Sequence, residues 1–232
     1  MQKEGYTKLQ DYRYERKFVA PELTPSQIES IIKLHPAMFS EIYYARYVNN
    51  IYFDSLGMKN FYANIDGMQH RVKCRIRWYG DLFGRIEKPI LELKIKNGLM
   101  GKKESYLLQD FTLDQNFTLK SLHEVFRQSD IPDLVGLDLL TLQPALLNRY
   151  KRKYFQTADR NYRITVDTEL HYYRIHSTKN TFLHCSKDDD NIVIELKYDK
   201  KGDPTAEHIS RSFPFRLSRN SKYVNGIHRL LY

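Results

Sequence analysis

The chain has 232 residues, of which 41% are hydrophobic and 28% charged, a balance that excludes a disordered or fibrous protein. Its 37 basic and 28 acidic side chains leave a formal charge of +9, which favours a polyanionic partner such as nucleic acid, an acidic membrane or polyphosphate. Cys74 and Cys185 are the two cysteines, and their wide separation argues against a disulfide framework and for a reducing compartment. Since no apolar run of about 20 residues predicts a membrane span and no signal peptide is recognised, we expect a soluble, cytoplasmic protein.

Three helices are predicted along the chain. The first covers Thr24 to Leu34, where the opening threonine and Gln27 form a capping box. A weaker helix covers Thr118 to Arg127, and a short closing helix lies between Ser218 and Leu231. No repeat or linker divides the sequence, so residues 1–232 are expected to form a single domain.

Strands account for most of the remaining pattern. Alternation of apolar with polar residues is typical of strands that have two chemically different faces. It occurs in Arg13 to Val19, Ala45 to Asp54, His70 to Tyr79, Pro89 to Lys96, Arg149 to Phe155, Arg163 to Glu169 and Ile192 to Tyr198. The fold class that follows is α+β, with an antiparallel sheet and added helices.

The segment HRVKCRIRWYG carries the most concentrated charge. Strand alternation places four cations on one face and four largely apolar side chains on the other. The cations are Arg71, Lys73, Arg75 and Arg77. Taken alone, this row is as compatible with a solvated outer face as with a binding surface.

Three other strands contain a Glu-x-Lys step whose two residues share a face. The pairs are Glu15 with Lys17, Glu92 with Lys94, and Glu195 with Lys197. On an outer face such pairs would be solubilising and worth under about 1 kcal/mol each. The alternative is that the sheet closes into an antiparallel β-barrel of about eight strands, with the charged face inside and helices outside.

Two further predicted strands carry charged residues on one face. RITVDTEL places Arg163, Thr165, Asp167 and Glu169 on one face, and NRYKRKYF places Arg149, Lys151 and Lys153 on one face. Rows of arginine and lysine suit a linear chain of phosphates, because the guanidinium fork matches phosphate oxygens. Carboxylates beside that row would repel phosphate unless Mg²⁺ or Mn²⁺ lay between them, and Glu195 is the first candidate ligand.

With these segments the sequence resembles a known family, the polyphosphate polymerase domain of vacuolar transporter chaperone proteins, within the triphosphate tunnel metalloenzyme superfamily. The resemblance covers nearly the whole chain. It is carried by RYERKF, NNIYFDS, KCRIRWYG, LELKIK, NRYKRKYF, RITVDTEL, IVIELKY and SKYVNGI.

The resemblance implies roles for individual residues. Catalytic contacts to the phosphates would come from Arg75, Arg77, Lys94, Arg149 and Arg163. Further substrate contacts would come from Lys17, Arg219, Ser221 and Lys222, and Glu195 would hold Mn²⁺ or Mg²⁺ as the cofactor. One departure is that Arg13 stands where the wider superfamily often has the first Glu of Glu-x-Glu-x-Lys, which argues for the polymerase branch and against a two-metal triphosphatase.

The expected activity is transfer of the γ-phosphoryl group of ATP, or of another nucleoside triphosphate, to a growing polyphosphate chain. The alternatives are a triphosphate or nucleotide hydrolase of the same fold and a binding module for polyphosphate or inositol phosphate without catalysis. A nucleic-acid partner is not expected, because the cations lie on strands that close rather than along an open groove. A separate membrane protein would be needed if the product crossed a membrane.

Overall fold

One antiparallel sheet dominates the structure. The computed structural model describes residues 13–20, 22–97, 100–199 and 203–231. In this part of the chain ten strands pair in one sheet and two short strands pair separately. In chain order the twelve strands are β1 Arg13–Val19, β2 Ser40–Asp54, β3 His70–Tyr79, β4 Gly84–Ile86, β5 Ile90–Asn97, β6 Met100–Leu107, β7 Phe111–Leu113, β8 Gln143–Gln156, β9 Tyr162–Tyr173, β10 Cys185–Asp188, β11 Val193–Asp199 and β12 Arg216–Leu217.

Six helices flank the sheet in the described residues. They are α1 Pro25–Lys33, α2 Lys59–Ile65, α3 Leu119–Gln128, α4 Asp133–Leu140, α5 Asp203–Arg211 and α6 Lys222–Leu231. The sequence predicts α1, α3 and α6. It does not predict α2, α4 or α5, and both α2 and α4 begin without a side-chain hydrogen bond to the first turn, so the usual start signal is missing from their sequences.

The start of α1 confirms the predicted capping box. Thr24 Oγ1 accepts a hydrogen bond from the backbone N–H of Gln27 at 3.3 Å, and Gln27 Oε1 accepts one from the backbone N–H of Thr24 at 2.8 Å. Each residue thereby satisfies a donor that the first helical turn leaves free. Thr118 and Ser121 form the same reciprocal arrangement at the start of α3.

The main sheet is strongly curled. Its strand order is β12-β1-β11-β9-β8-β2-β3-β5-β6, with β10 beside β9, so β1 and β5 lie near opposite ends. Even so, Lys94 Nζ of β5 lies 2.8 Å from Glu15 Oε2 of β1. The sheet therefore bends round until its two ends face each other across what we call the inner face.

The closed barrel of about eight strands is not found. Within residues 13–20, 22–97, 100–199 and 203–231, no backbone ladder joins β1 or β12 to β5 or β6. The ends of the sheet meet through side chains such as Glu15 and Lys94 instead. The structure is accordingly a curled ten-stranded sheet around a channel.

Apolar side chains cover the outer face in two separate clusters. One lies under α3 and α4 and includes Ile76, Trp78 and Leu91 of the sheet. The other lies under α1 and α5 and includes Ile28 and Ile32 of α1. Since burying one such side chain stabilises the fold by roughly 1.5–3 kcal/mol, these clusters fix the charged face of the same strands on the inside.

Helix α6 occupies one end of the inner side. Tyr223, Ile227 and Leu230 belong to a third apolar cluster with Leu146 of β8 and Tyr172 of β9. That end of the channel is therefore filled by protein, and the polar part lies between α6 and the opposite mouth. No helix in the described residues has the length and apolar character needed to cross a membrane.

Candidate functional site

The centre of the inner face is built on strands β3 and β5. Arg75 donates from Nε to Glu92 Oε2 at 2.7 Å, and its Nη2 lies 2.6 Å from the same oxygen. Arg77 Nη1 lies 3.6 Å from Glu92 Oε2, and Lys103 Nζ lies 2.5 Å from Oε1. Burial disfavours the charged carboxylate, but Arg75, Arg77 and Lys103 together hold the pKa of Glu92 well below its usual range. Glu92 thus aligns two arginine forks along the channel.

Glu195 of β11 forms a second charged centre. Its Oε1 lies 3.5 Å from Lys17 Nζ, and its Oε2 lies 3.1 Å from Lys197 Nζ and 3.7 Å from Arg152 Nη2. Although burial opposes ionisation, these cations and Lys222 hold the pKa of Glu195 well below its ordinary value. The carboxylate is therefore ionised, which a metal ligand requires, and its partners in this structure are all cations.

Arg152 and Asp167 form a buried bidentate pair beside this centre. The two nitrogen–oxygen distances are 2.5 and 2.7 Å. Lys222 Nζ, from the first residue of α6, lies 2.6 Å from Asp167 Oδ2. Arg152 and Lys222 also lie over the ring of Tyr150, at 5.1 and 4.7 Å from its centroid. Helix α6 is thereby tied to the inner face through charge as well as through apolar packing.

Three lysines converge on the segment that leads into α6. Lys17 Nζ donates to the backbone carbonyl of Asn220 at 2.9 Å, and Lys73 Nζ donates to Ser221 Oγ at 2.9 Å. Lys222, the third, points inward to Asp167 as described above. Arg219, in the same segment, is exposed. The predicted substrate-binding residues Lys17, Arg219, Ser221 and Lys222 are therefore brought together at this end of the channel.

The opposite mouth is an open cavity of about 260 Å³. Its lining includes Arg163, predicted from the sequence, together with Arg152 and Lys197. The other lining residues are Tyr154, Gln156, Arg160, Asn161, Thr165, Tyr198 and Asp199. Arg152 and Lys197 connect this cavity to the charged centre, because both also lie close to Glu195.

The predicted position of Arg149 in the channel is wrong. Its guanidinium lies 3.7 Å from the ring centroid of Tyr47, on the outer face. The Tyr47 hydroxyl donates to Glu169 at 2.5 Å, and Lys151 Nζ lies 3.2 Å from Glu169. Arg149 therefore belongs to an outer polar group, and the inward arginine of β8 is Arg152.

The β8–β9 hairpin shows why neither Arg149 nor Glu169 shares the channel face with Asp167. In the register of the two strands, Arg152 is opposite Asp167 and Gln156 is opposite Arg163. Even-numbered residues of β8 therefore share a face with odd-numbered residues of this part of β9, and Arg149 lies on the other face. The register then shifts between Arg149 and Lys151, and Glu169 has a φ of +52°. This β-bulge turns Glu169 away from the face that carries Asp167, contrary to the strict alternation expected from the sequence.

Several channel residues are absent from the set predicted on the sequence: Lys73, Glu92, Arg152, Asp167 and Lys197. A usable signal existed for Arg152. Counting pairs outward from the β8–β9 turn would have placed it opposite Asp167, because hairpin register is fixed by the turn. For Glu92 and Lys197 the signal was the Glu-x-Lys step. Glu92 shares a strand face with the predicted Lys94, and Lys197 shares one with the predicted Glu195.

In the described residues, Glu195 belongs to no larger group of side chains that could bind a metal ion with it. The described part of the chain contains no group of three or more His, Cys, Asp or Glu side chains placed to hold a metal ion. Glu195 instead faces Lys17, Lys197 and Arg152. The side chain of Arg13, which stands where the resemblance implies a further carboxylate in the wider superfamily, lies outside the described residues. Glu195 is thus a single carboxylate donor, and a Mg²⁺ or Mn²⁺ ion held by it would take its other ligands from phosphate oxygens and water.

A curled antiparallel sheet with a cation-rich inner face and one end filled by a helix places the chain in the class of tunnel folds. The model of the VTC domain family matches residues 12–231. The chain belongs to the VTC domain family.

Solved structures support the fold. HpAC1 from Hippeastrum, described as an adenylyl cyclase candidate with a dominant triphosphatase activity, is 12% identical, covers 93% of this chain and 94% of its own, and gives a TM-score of 0.52. A Vibrio parahaemolyticus protein described as an adenylate cyclase candidate is 10% identical over 93% and 98% of the two chains, also with a TM-score of 0.52. PH1819 from Pyrococcus horikoshii is 16% identical over 90% and 95%, with a TM-score of 0.50. None of the curated proteins compared with the chain matches it.

Proposed function

We propose that this protein is a metal-dependent polyphosphate polymerase that transfers the γ-phosphoryl group of ATP, or of a similar nucleoside triphosphate, to the end of a polyphosphate chain. The observation that carries the proposal is the inner face itself. Along it, arginine forks and lysines from β1, β3, β8, β9 and β11 line one channel rather than a single nucleotide pocket. Membership of the VTC domain family supports the same substrate class.

The reaction asks the protein for alignment and charge neutralisation. A terminal oxygen of the chain attacks the γ-phosphorus, the bond from that phosphorus to the β–γ bridging oxygen breaks, and the nucleoside diphosphate leaves. Such transfers proceed without a covalent enzyme intermediate when the reacting groups are held in line. We assign Arg75, Arg77, Arg152 and Arg163 to the equatorial phosphate oxygens, where bidentate donors stabilise the developing charge.

Lysines near these arginines would bind further phosphate oxygens. Lys17 and Lys222 lie on either side of the Glu195–Asp167 region, where they can bind phosphate oxygens once the substrate is present. Lys94, with nearly half of its side chain exposed and paired with Glu15, extends the basic path toward the end near Arg219 and Ser221. Each cation would exchange a carboxylate partner for a phosphate.

Glu195 would hold the divalent ion. Bound there, such an ion would supply electrostatic stabilisation to the reacting phosphate group. The chain's own contribution is to keep Glu195 ionised, which Lys197, Lys17, Lys222 and Arg152 do. The proposal places the activity in the cytoplasm, with a separate membrane protein required for export of the product.

A hydrolase of triphosphate or nucleotides is the second candidate. The same clamped phosphate would then be attacked by water. It is favoured by the likeness in fold to HpAC1, whose description includes a dominant triphosphatase activity. Chain growth and release of free phosphate distinguish the two.

The test is incubation of the purified protein, freed of bound polyphosphate, with γ-labelled ATP and Mn²⁺, followed by separation of products by size. Labelled chains that lengthen with time, and that are lost in Arg75→Ala and Glu195→Ala, are expected. Arg149→Ala is the matched control, because it removes an arginine from the outer face. Free phosphate as the only product would establish the hydrolase, and tight polyphosphate binding without turnover would establish a binding module.

A further inference from the structure

Three tyrosine rings surround Arg46 at the open mouth of the channel. The central carbon of the Arg46 guanidinium lies 4.3 Å from the ring centroid of Tyr79 and 4.9 Å from that of Tyr154. The ring centroid of Tyr43 is 5.6 Å away, and Arg46 Nε donates a hydrogen bond to the Tyr154 hydroxyl at 3.2 Å. We call these four residues the aromatic rim. Among the described residues Arg46 has no ion pair with Asp or Glu, so the rings are its partners.

Two irregularities in β2 bring the aromatic rim together. Tyr43 and Arg46 are three residues apart, so strict alternation would put them on opposite faces of the strand. The pairing of β2 with β8, however, shifts register on both sides of Tyr43. Such β-bulges re-aim side chains, and here the Tyr43 ring meets the Tyr154 ring with 5.6 Å between centroids. Tyr79 reaches the same place as the last residue of β3, on the face that carries Arg77.

The aromatic rim is exposed where a cluster that serves only packing would be buried. Tyr43 and Tyr79 are 53% and 43% exposed, and Arg46 is exposed as well. Tyr154, by contrast, is buried and forms the floor of the group. Rings left half in water beside a cavity offer a flat apolar surface on which another ring system can stack.

Tyr154 joins the aromatic rim to the cationic mouth of the channel. It also lines the open cavity described above, together with Arg152, Arg160 and Arg163. A ligand that fills both places must carry a flat ring system at one end and negative charge at the other. A nucleoside triphosphate has this chemistry, because its base stacks on aromatic rings and its phosphates pair with arginine. A polyphosphate chain meets only the second requirement.

We propose that the aromatic rim is a nucleobase subsite for the phosphoryl donor. The base stacks on the exposed surface formed by Tyr43, Tyr79 and the Arg46 guanidinium, while the phosphates extend past Tyr154 into the channel. Because stacking strength grows with the size of the ring system, the subsite favours purine over pyrimidine nucleotides. The inference rests on the proposed function, since it takes a nucleoside triphosphate as the donor. All four residues are additional to the site residues indicated by the sequence.

The experiment measures binding of unreactive nucleotides to the full chain in the presence of Mn²⁺. Adenosine and cytidine triphosphate analogues with an imido group in place of the β–γ bridging oxygen are titrated by isothermal calorimetry, beside tripolyphosphate. The wild type is expected to bind the adenosine analogue more tightly than the cytidine analogue. Tyr79→Ala and Tyr43→Ala should each lose about tenfold in affinity for the adenosine analogue, as expected when one stacking ring is removed. Both should keep their affinity for tripolyphosphate.

Two further variants make the result specific. Tyr79→Phe should bind the adenosine analogue as the wild type does, because stacking uses the ring and not the hydroxyl. Tyr62→Ala removes a tyrosine that is 50% exposed on α2, whose neighbour Phe61 packs against Tyr223 of α6 at the other end of the channel. This control should also behave as the wild type. Melting temperatures verify that all variants are folded.

Three outcomes would overturn the nucleobase subsite. The first is unchanged affinity for the adenosine analogue in both Tyr43→Ala and Tyr79→Ala. The second is an equal loss for the adenosine analogue and for tripolyphosphate, which would show that the rings only support the phosphate-binding arginines. The third is equal binding of the adenosine and cytidine analogues by the wild type, which would remove stacking as the basis of recognition.

These outcomes are separable from the proposed activity. A protein that binds the adenosine analogue through the aromatic rim but does not extend polyphosphate would refute the polymerase and retain the subsite. A protein that extends polyphosphate from ATP with unchanged KM in Tyr43→Ala and Tyr79→Ala would do the reverse.

Discussion

Arg152 and Asp167 face each other across β8 and β9 and form two parallel hydrogen bonds of 2.5 and 2.7 Å in the buried interior of the channel. The pair connects three parts of the site, because Arg152 also approaches Glu195 and Asp167 also binds Lys222 of α6. Arg152 and Arg163 line the same cavity. If the proposed function is correct, a phosphate that binds there would replace the carboxylate of Asp167 at Arg152.

The first prediction concerns that arginine. Arg152→Ala should reduce affinity for tripolyphosphate by at least tenfold, since a charge-assisted hydrogen bond is worth about 1.5–3 kcal/mol. It should also lower the free energy of unfolding by about 3 kcal/mol, because Asp167 loses its bidentate partner in a buried site. Calorimetric titration and urea unfolding measure the two effects.

Arg149→Ala is the control for this prediction. Arg149 stacks on Tyr47 on the outer face, so the variant should retain tripolyphosphate affinity. Loss of affinity in Arg149→Ala together with its retention in Arg152→Ala would show that the roles of the two arginines have been exchanged.

The second prediction separates metal binding from phosphate binding. Glu195→Gln removes a negative charge that three cations share, so those cations become available to phosphate. Metal-free tripolyphosphate should bind at least as tightly as to the wild type, while Mn²⁺ should no longer be retained in the presence of tripolyphosphate. Electron paramagnetic resonance of free Mn²⁺ measures the retention, and unchanged Mn²⁺ retention would remove Glu195 as the ligand.

The third prediction concerns the packing of α6. A methyl group at Gly226 would lie 2.5 Å from Tyr172 Cδ1 and 2.6 Å from Leu146 Cδ2, so neighbouring side chains or the helix must move. Gly226→Ala should lower the free energy of unfolding by about 1–3 kcal/mol, as overpacked cores do. Urea unfolding provides the measurement.

Gly136→Ala in α4 is the matched control. The nearest atom to its added methyl group is Ile131 Cδ1 at 3.9 Å, and alanine is the better helix former by about 0.5–1 kcal/mol. This variant should be as stable as the wild type or more so. Equal stability of Gly226→Ala and the wild type would mean that α6 does not pack closely on the inner face.

The fourth prediction is the response to acid. Although burial favours its neutral form, Lys94 and the other neighbouring lysines lower the pKa of Glu15 from 4.5 to about 2. Glu92, Asp167 and Glu195 are shifted in the same direction. A carboxylate whose pKa is lower in the folded state contributes stability that is present above its unfolded pKa and is lost as pH falls toward the folded value.

Stability should therefore fall between about pH 4.5 and pH 2. Chemical unfolding followed across this range measures the fall, and Glu15→Gln should make it shallower because one of the shifted groups is gone. A wild-type stability that does not change over the range would contradict the ion pairs of the inner face.

Much of the framework follows from local pattern. The boundaries of β1 and β3 coincide with the predicted segments, and α1 begins at the predicted capping box. Two-residue spacing alone groups Arg75 with Arg77, Glu15 with Lys17, and Glu195 with Lys197, each on one face of its own strand, whereas their shared site was implied by the family resemblance. The helices without side-chain caps were missed, because a weak start signal is invisible without the tertiary packing that compensates for it.

What the sequence by itself determined is which side chains share a strand face and that this face is rich in arginine, lysine and glutamate. Alternation has a period of two residues, so it is readable wherever a strand is regular. Only the tertiary structure decided that the sheet curls until Glu15 meets Lys94, that Glu169 leaves the face that carries Asp167, and that α6 fills one end. These outcomes depend on a β-bulge at Glu169 and on contacts between residues far apart in the chain, and neither leaves a periodic signal in the sequence.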